Sequence, residues 1–295
     1  MKLVLCSLCS GLVLISLTSC NSSPLVNRPG SEQSQGNPSQ SNQSQVQSPT
    51  IVKVAASSST SLLLEILAEA YQAKVQTVKI EFATSNQSGS SIAAVGDNLV
   101  DIAGSSHPLK PEENNGKLQY REVAKDPLMV ATHSSVTGVK NLSKAQLQGI
   151  YSGAIQNWKE LGGPDAAIVV LDRPEDESAK KLLRKHYLGE TPTTSKAIIL
   201  KKEGELIQSL RETPYSIGAF SHAYSLIKQV PVNPLRLDDT EPSVENGRKG
   251  TYPMLRQMGI IWNKQPSSAT AGFVEFIFSP EAEKLLQSKG FIPSP

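Results

Sequence analysis

The sequence predicts an α/β fold of two lobes, each with a mostly parallel sheet flanked by helices. Strand-like and helix-like segments alternate from residue 51 onward, which favours parallel strands with helices on both faces of the sheet. About 245 residues take part in this alternation, enough for two compact lobes. In one segment Val78, Ile80 and Phe82 alternate with charged residues, the period of two that marks a half-buried strand.

The first series of elements is predicted in the order strand, helix, strand, short helix, strand. The strands cover residues 51–55, 78–82 and 99–103. The helix after the first strand carries on one face Leu63, Leu64, Leu67 and Tyr71. The short helix opens in the serine-rich stretch at 88–91, which places it between the second and third strands.

A second series follows an apolar stretch at residues 128–131. It comprises a strand at 168–171, a helix from about 178 to 187, strands at 217–220 and 258–262, and two terminal helices. The last helix has clear boundaries. Ser279 is an N-cap, Pro280 takes the first helical position, and Gly290 ends the helix.

The N-terminus has the pattern of an exported lipoprotein. An apolar run over residues 3–17 is about 15 residues long, short for a membrane span of about 20, and it fits a signal peptide over 1–19. The Leu-Thr-Ser-Cys sequence that ends at Cys20 resembles a lipobox, in which the cysteine is acylated and becomes the new N-terminus. We therefore expect a lipid on Cys20 that anchors the protein to a membrane of the cell envelope. It would face the periplasm or the cell exterior. The alternative is an ordinary signal peptide with a chance cysteine.

Residues 20–50 are predicted to form a disordered tether. After the cysteine the segment consists mainly of Ser, Gln and Asn with almost nothing apolar, so burial cannot offset its conformational entropy. A flexible chain of about 30 residues reaches roughly 30 Å. The tether would hold the folded part away from the bilayer, and a low-complexity interaction segment is the alternative.

Composition excludes several kinds of function. The 29 basic and 27 acidic residues give a net charge of +2 without a basic cluster, so no nucleic-acid partner is expected. Of the three cysteines, Cys6 and Cys9 lie in the predicted signal peptide, which leaves no thiol for disulfides or metal sites if Cys20 carries lipid. The histidines lack metal-ligand spacing, and no serine-hydrolase elbow, P-loop or zinc-protease motif is present. We expect neither an enzyme nor a metal site.

Small hydroxyl residues follow each of the first three predicted strands, at 58–61, 88–91 and 105–106. In an open α/β sheet, ligands lie beyond the carboxyl ends of the strands. Hydroxyls and free N–H groups at helix N-termini attract anions there. Serine and threonine also gather at caps and turns without binding anything. One such loop would therefore say little, but three successive loops favour an anion site.

Residues 150–165 combine a helix end, a Ser152-Gly153 turn, an Asn157-Trp158 anchor and a glycine–proline break. This segment resembles the second-lobe segment "iFsGkItnWkevGGpd" of the phosphate-binding proteins of phosphate ABC transporters; a generic amphipathic helix and turn is the alternative. The resemblance implies the type II periplasmic-binding-protein fold, with hinge crossings near Leu128 and Ile260. Lobe I would then comprise residues 51–130 and 258–295, and lobe II residues 131–257.

The same resemblance places phosphate contacts in the serine-rich loops of the first lobe. The family's Gly-Ser-Thr-Thr-Leu, Ser-Gly-x-Gly and Ala-Ser-Ser-Arg-Pro-Leu loops are matched at 58–62, 88–91 and 104–109. The implied contacts are Thr60, Ser61, Ser88 and Ser106.

In the second lobe the family carries Arg-x-Asp/Glu-Gly-Ser-Gly-Thr after a strand. The implied contacts here are Arg173, Glu175 and Ser178. Arginine offers a planar fork to an oxyanion, and the acidic residue can accept the proton of hydrogen phosphate. This chain departs from the family at residues 176–179, which read Asp-Glu-Ser-Ala. Consecutive carboxylates suit a helix start but repel a dianion, and Arg173 would then pair with Glu175 or Glu177.

The resemblance implies an extracytoplasmic solute-binding lipoprotein without a cofactor. As a monomer it would capture phosphate, or a related oxyanion, for the permease subunits of an ABC transporter. The alternative is a degenerate binding protein that serves as a sensor or scaffold with an altered or lost ligand. A serine hydrolase is a third class with little support.

Overall fold

The computed structural model describes residues 48–84 and 87–294. The predicted signal peptide, Cys20 and the tether up to residue 47 lie outside the described residues, so these expectations stay predictions. Within the described ranges, no helix has both the length and the apolar character needed to cross a membrane.

The described strands and helices follow the predicted alternation. The strands are β1 (Thr50–Ala56), β2 (Val78–Ala83), β3 (Ile102–Ser105), β4 (Leu118–His133), β5 (Asn141–Leu142), β6 (Val169–Asp172), β7 (Ile198–Ile199), β8 (Ser216–Ser221), β9 (Val232–Pro234), β10 (Arg236–Leu237), β11 (Leu255–Asn263) and β12 (Ile292–Pro293). The α-helices are α1 (Ser61–Gln72), α2 (Ser88–Gly96), α3 (Lys144–Ser152), α4 (Ser178–Leu183), α5 (Glu203–Glu212), α6 (His222–Lys228), α7 (Val244–Arg248), α8 (Ser268–Ile277) and α9 (Pro280–Ser288). Short helical turns cover Pro111–Glu113, Trp158–Leu161 and Arg184–Leu188, the last of which is π-helical.

A large central sheet has the strand order β2-β1-β3-β11-β4-β8-β6-β7. In its first half β1 pairs in parallel with β2 and β3, and in its second half β6 pairs in parallel with β8 and β7. The central pairs β3–β11, β11–β4 and β4–β8 are antiparallel. Strand β4 belongs to both halves, because it pairs with β11 up to Pro127 and with β8 from Leu128.

The chain passes between the halves a second time just before β11, and the two passages are hydrogen-bonded to each other. The N–H of Leu128 donates to the carbonyl of Met254 at 2.8 Å. The Tyr252 hydroxyl donates to the carbonyl of Leu128 at 2.6 Å. Both polar groups of the Leu128 backbone are thus bonded to the segment that leads into β11.

Helices cover both faces of each half of the sheet. In the first half α1 and α8 bury Leu64 and Phe273 on one face, and α2 buries Ile92 on the other. In the second half α3 buries Leu147 on one face, and α5 buries Leu206 on the other. Full burial of such side chains contributes about 1.5–3 kcal/mol each. The predicted α/β class, a central sheet flanked by helices, is confirmed.

The segment at 150–165 has the predicted local structure. Gly153 ends α3 in the left-handed region at φ 80°, where a side chain would be strained. Asn157 caps the helical turn that follows. Trp158 is fully buried, and its indole N–H donates to the carbonyl of Tyr215 at 2.8 Å. This segment therefore anchors the packing of the second half.

The third strand begins later than the sequence predicts, at Ile102 instead of 99. Asn98 adopts a left-handed φ of 56°, and the N–H groups of Leu99 and Val100 bond back to the carbonyl of Ala94. Leu99 is 65% exposed, so its apolar side chain does not contribute to the core. These residues form the turn after α2, and the strand starts only beyond them.

Candidate ligand-binding site

A cavity of about 650 Å³, here called the cleft, is lined by residues of both halves of the structure. Of the residues expected to contact a ligand, Ser88 and Ser106 line it from the first half and Ser178 from the second. The other four do not line it. They are Thr60, Ser61, Arg173 and Glu175.

Hydroxyl groups form one wall of the cleft. The Ser88 hydroxyl accepts a hydrogen bond from the Ser106 N–H at 3.0 Å and lies 3.3 Å from the Ser106 hydroxyl. Ser88 opens α2, and Ser178 opens α4. The Ser178 hydroxyl has no hydrogen-bond partner among the described residues. Ser57 and Ser59 also line the cleft, so five serine side chains from four loops line this cavity.

Thr60 lies beneath this wall, almost fully buried. Its hydroxyl is 2.9 Å from the hydroxyl of Ser57, which does line the cleft. A side chain on Gly104 would place a Cβ 2.5 Å from the Thr60 hydroxyl, so only glycine permits this close packing. Ser61 lines a separate cavity of about 290 Å³. Thr60 therefore supports the serine loop from below.

Arg173 is buried, with 4% of its surface exposed, and its guanidinium already has partners. It pairs with Glu177 at 2.9 Å, donates to the carbonyl of Leu200 at 3.1 Å, and lies 3.5 Å from the Ser58 hydroxyl. Of the two partners that the sequence left open, Glu177 is the one observed. Glu177 lines the cleft and Arg173 does not, so it is the carboxylate of this pair and not the guanidinium that faces the cavity.

Glu175 is 62% exposed and is directed towards Arg184. Its two oxygens accept hydrogen bonds from that guanidinium at 2.7 and 3.0 Å, and Lys180 lies 3.7 Å away. The hydrogen bonds from Arg184 hold the pKa of Glu175 below its usual value, with Lys180 adding to the effect against the opposing influence of burial. The expected contact between Glu175 and a ligand has no support in this geometry.

Side-chain contacts join the two halves at the cleft. Gln87, just before α2, donates to the Asp176 carboxylate at 3.1 Å. The Arg173 guanidinium also approaches the Ser58 hydroxyl, at 3.5 Å. The carboxylates at 176 and 177 are therefore each bound to a group of the protein, Asp176 across the cleft and Glu177 within its own half.

The buried pair of Lys180 and Asp172 holds the start of α4 against the end of β6. Lys180 also donates to the Thr193 hydroxyl at 2.8 Å, and the second oxygen of Asp172 accepts the N–H of Arg173 at 2.8 Å. Because breaking a buried pair leaves an uncompensated charge, this arrangement fixes the backbone at Arg173.

The sequence analysis missed a buried ion cluster between the halves. Arg256 on β11 bonds to its cross-strand neighbour Asp126 on β4 at 2.8 Å and to both oxygens of Glu203 on α5 at 3.1 Å. Burial works against its charge, but Glu203 and Asp126 outweigh burial and raise the pKa of Arg256. Arg256 lines both cavities. An arginine inside an apolar strand is the signal that could have revealed it, because buried charges require partners.

The comparisons with known proteins agree on one family. A family profile described as the PBP superfamily domain matches residues 34–281. The chain belongs to the PBP superfamily. The phosphate-binding protein PstS of Borreliella burgdorferi is 26% identical over 253 residues, which are 82% of this chain and 89% of the relative. PstS of Bacillus subtilis is 27% identical over 212 residues, 70% of this chain and 68% of the relative.

A solved structure is similar to this chain over most of its length. One comes from Clostridium perfringens and is assigned as a phosphate ABC transporter substrate-binding protein with bound phosphate. It superimposes with a TM-score of 0.73 at 27% identity, over 83% of this chain and all of that one. The family predicted from residues 150–165 is confirmed.

Proposed function

We propose that this protein is an extracytoplasmic solute-binding protein that captures phosphate, or a related oxyanion, for the permease subunits of an ABC transporter. The observation that carries the proposal is the cleft itself, where Ser88 and Ser106 of one half and Ser178 of the other line a single cavity. The names of the relatives support the same ligand and the same transport role. The protein would act as a monomer, without a cofactor and without catalysing a reaction.

Binding would use hydroxyl donors and the N-terminus of α2. The free N–H groups and the positive dipole end at the start of this nine-residue helix favour an anion beside Ser88. Lobe I (51–130 and 258–295) and lobe II (131–257) would close on the ligand by hinge motion. The ligand would compete with Glu177 for Arg173. The residues that do not line the cleft would support binding without touching the ligand; they are Thr60, Ser61 and Glu175.

The second candidate function is a degenerate binding protein that acts as a sensor or scaffold. The observation that favours it is the pair between Arg173 and Glu177, which satisfies the arginine without a ligand. In that case the cleft would hold no phosphate under physiological conditions, and the cell-surface role would rest on protein contacts.

Thermal unfolding of the purified protein with added phosphate, sulfate or arsenate separates the two functions. A ligand that binds only the folded state stabilises it by about 2.7 kcal/mol at 100 times its Kd, so phosphate should raise the Tm in a concentration-dependent manner. Ser88→Ala should weaken phosphate binding by about 1–3 kcal/mol. Ser288→Ala, on α9 outside the cleft, is the control. An unchanged Tm with all three anions would favour the sensor or scaffold.

We also propose that the mature protein is anchored by lipid on Cys20. In cells, Cys20→Ala should remove the acyl mass from the N-terminus and shift the protein to the aqueous phase of a detergent partition. One acyl chain binds a membrane marginally and two bind it firmly. Cys9→Ala, within the predicted signal peptide, should leave acylation intact. Wild-type protein in the aqueous phase without an acyl mass would refute the anchor.

A further inference from the structure

The cleft is larger than an inorganic anion requires. A phosphate ion has five heavy atoms and needs roughly 150 Å³ if each takes the room of a water molecule, about 30 Å³. The cleft measures about 650 Å³, within the range of about 300–1,000 Å³ typical of sites for organic ligands. Before any hinge closure, phosphate alone on the hydroxyl wall would leave most of this volume unoccupied.

A second wall of the cleft is cationic. The lysines that line it are Lys110, Lys125, Lys181 and Lys185. Lys110 and Lys125 each lie 3.8 Å from a glutamate of their own segment. Neither Lys181 nor Lys185 has an ion-pair partner within residues 48–84 and 87–294. Arg256 adds no free charge, because Asp126 and Glu203 neutralise it.

The two carboxylates that line the cleft have different partners. Glu177 pairs with the Arg173 guanidinium, whereas Asp176 accepts a hydrogen bond from the neutral Gln87 amide, which does not compensate its charge. The burial of His186, a lining residue, and the nearby charges of Lys185 and Lys144 lower its pKa, which disfavours its charged form. Lys181 and Lys185 are the two lining lysines without an ion-pair partner in the described ranges, and together they outweigh the single charge of Asp176.

One hydroxyl of the cleft and these two lysines follow one another along the chain. Ser178 opens α4 and Lys181 lies about one turn further on, roughly 4.5 Å along the axis at 1.5 Å per residue. Lys185 lies in the π-helical turn that follows, and all three residues line the cleft. A second anionic group on a ligand whose phosphoryl group is at the hydroxyls would therefore lie against these two ammonium groups.

We propose that the cleft binds a phosphate ester with a second acidic group, such as a phosphorylated carboxylic acid. The phosphoryl group accepts hydrogen bonds from Ser88, Ser106 and Ser178, and the second anionic group lies against Lys181 and Lys185. The inference rests on the proposed function for its phosphoryl site and adds a second subsite to the same cleft.

The test compares two probes that differ in one group. 3-Phosphoglycerate carries a carboxylate where glycerol 3-phosphate has a hydroxymethyl group. Calorimetric titration of the purified protein should give at least tenfold tighter binding for 3-phosphoglycerate. The double variant Lys181→Gln/Lys185→Gln should abolish that difference and alter the affinity for inorganic phosphate far less. Lys284→Gln/Lys289→Gln, on and just after α9, is the matched control and should preserve the difference.

Each outcome decides a separate point. If inorganic phosphate binds and the two esters bind equally or not at all, the second subsite is refuted and the proposed function stands. If 3-phosphoglycerate binds and inorganic phosphate does not, the subsite is supported and the proposed phosphate function falls. If none of the three binds, both proposals are refuted.

Discussion

Replacing Arg256 with Ala should lower the free energy of unfolding by about 3–5 kcal/mol, because two buried carboxylates lose their counter-ion. Asp126 and Glu203 both contact the guanidinium and are both buried. Their other donors are the backbone N–H groups of Ala223 and Ser221, which carry no net charge to balance them. The loss should exceed that of most single substitutions on the surface.

Urea unfolding followed by circular dichroism measures this effect. The midpoint should fall while the slope, which reports the surface exposed on unfolding, stays the same. Arg248→Ala is the matched control, since Arg248 is exposed on α7 without an ion pair in the described part of the chain. It should change stability by no more than about 0.5 kcal/mol. A loss under about 1 kcal/mol for Arg256→Ala would mean that water or a rearrangement compensates the two carboxylates.

Arg173→Ala should weaken phosphate binding by about 2–5 kcal/mol if the ligand displaces Glu177 from the guanidinium. The variant loses the guanidinium donors and leaves the Glu177 carboxylate without its partner beside the anion. Glu177→Gln should instead tighten phosphate binding. Removing one negative charge is worth roughly 1–2 kcal/mol at a partly exposed site, or about tenfold in affinity. The gain should shrink in salt, since screening acts over about 10 Å at 0.1 M.

Glu175→Gln is the control for this pair of variants. It makes the same chemical change two residues away, at a carboxylate bound to Arg184 outside the cleft. Its phosphate affinity, measured by the same calorimetric titration, should stay within about threefold of the wild type. If Glu177→Gln binds phosphate no more tightly than Glu175→Gln does, Glu177 is not a competitor of the ligand, and Arg173 acts only within the fold.

The parts of the fold that could be predicted are those determined by neighbouring residues. The Ser279 cap is one, since its hydroxyl accepts the Ala282 N–H three residues on. The Gly153 turn and the Trp158 anchor are others, because their conformations follow from local chain geometry. The start of β3 could not be predicted, because the apolar Leu99 favours a strand while the left-handed Asn98 places it in a turn.

The site was harder to predict, because partner choice depends on the tertiary structure. Arg256 binds Glu203 and Asp126, which are 53 and 130 residues away in the sequence, and no local sequence pattern reveals such pairs. Arg173 pairs with Glu177 and not with Glu175 because Glu175 is bound to Arg184, a residue nine positions further along the chain. The serine loops were predictable as hydroxyl-rich strand ends, but which hydroxyls line the cleft depends on packing beneath them.

The bonding at Leu128 has a mechanical consequence. Both chain passages between the halves of the sheet meet there, and each constrains the other through the Leu128 N–H and carbonyl groups. Sliding one passage past the other would break these bonds, whereas bending both about a common line keeps them. Pro127, which has no N–H group to lose, lies on that line. We therefore expect bending about this line to be the easiest relative motion of the two halves.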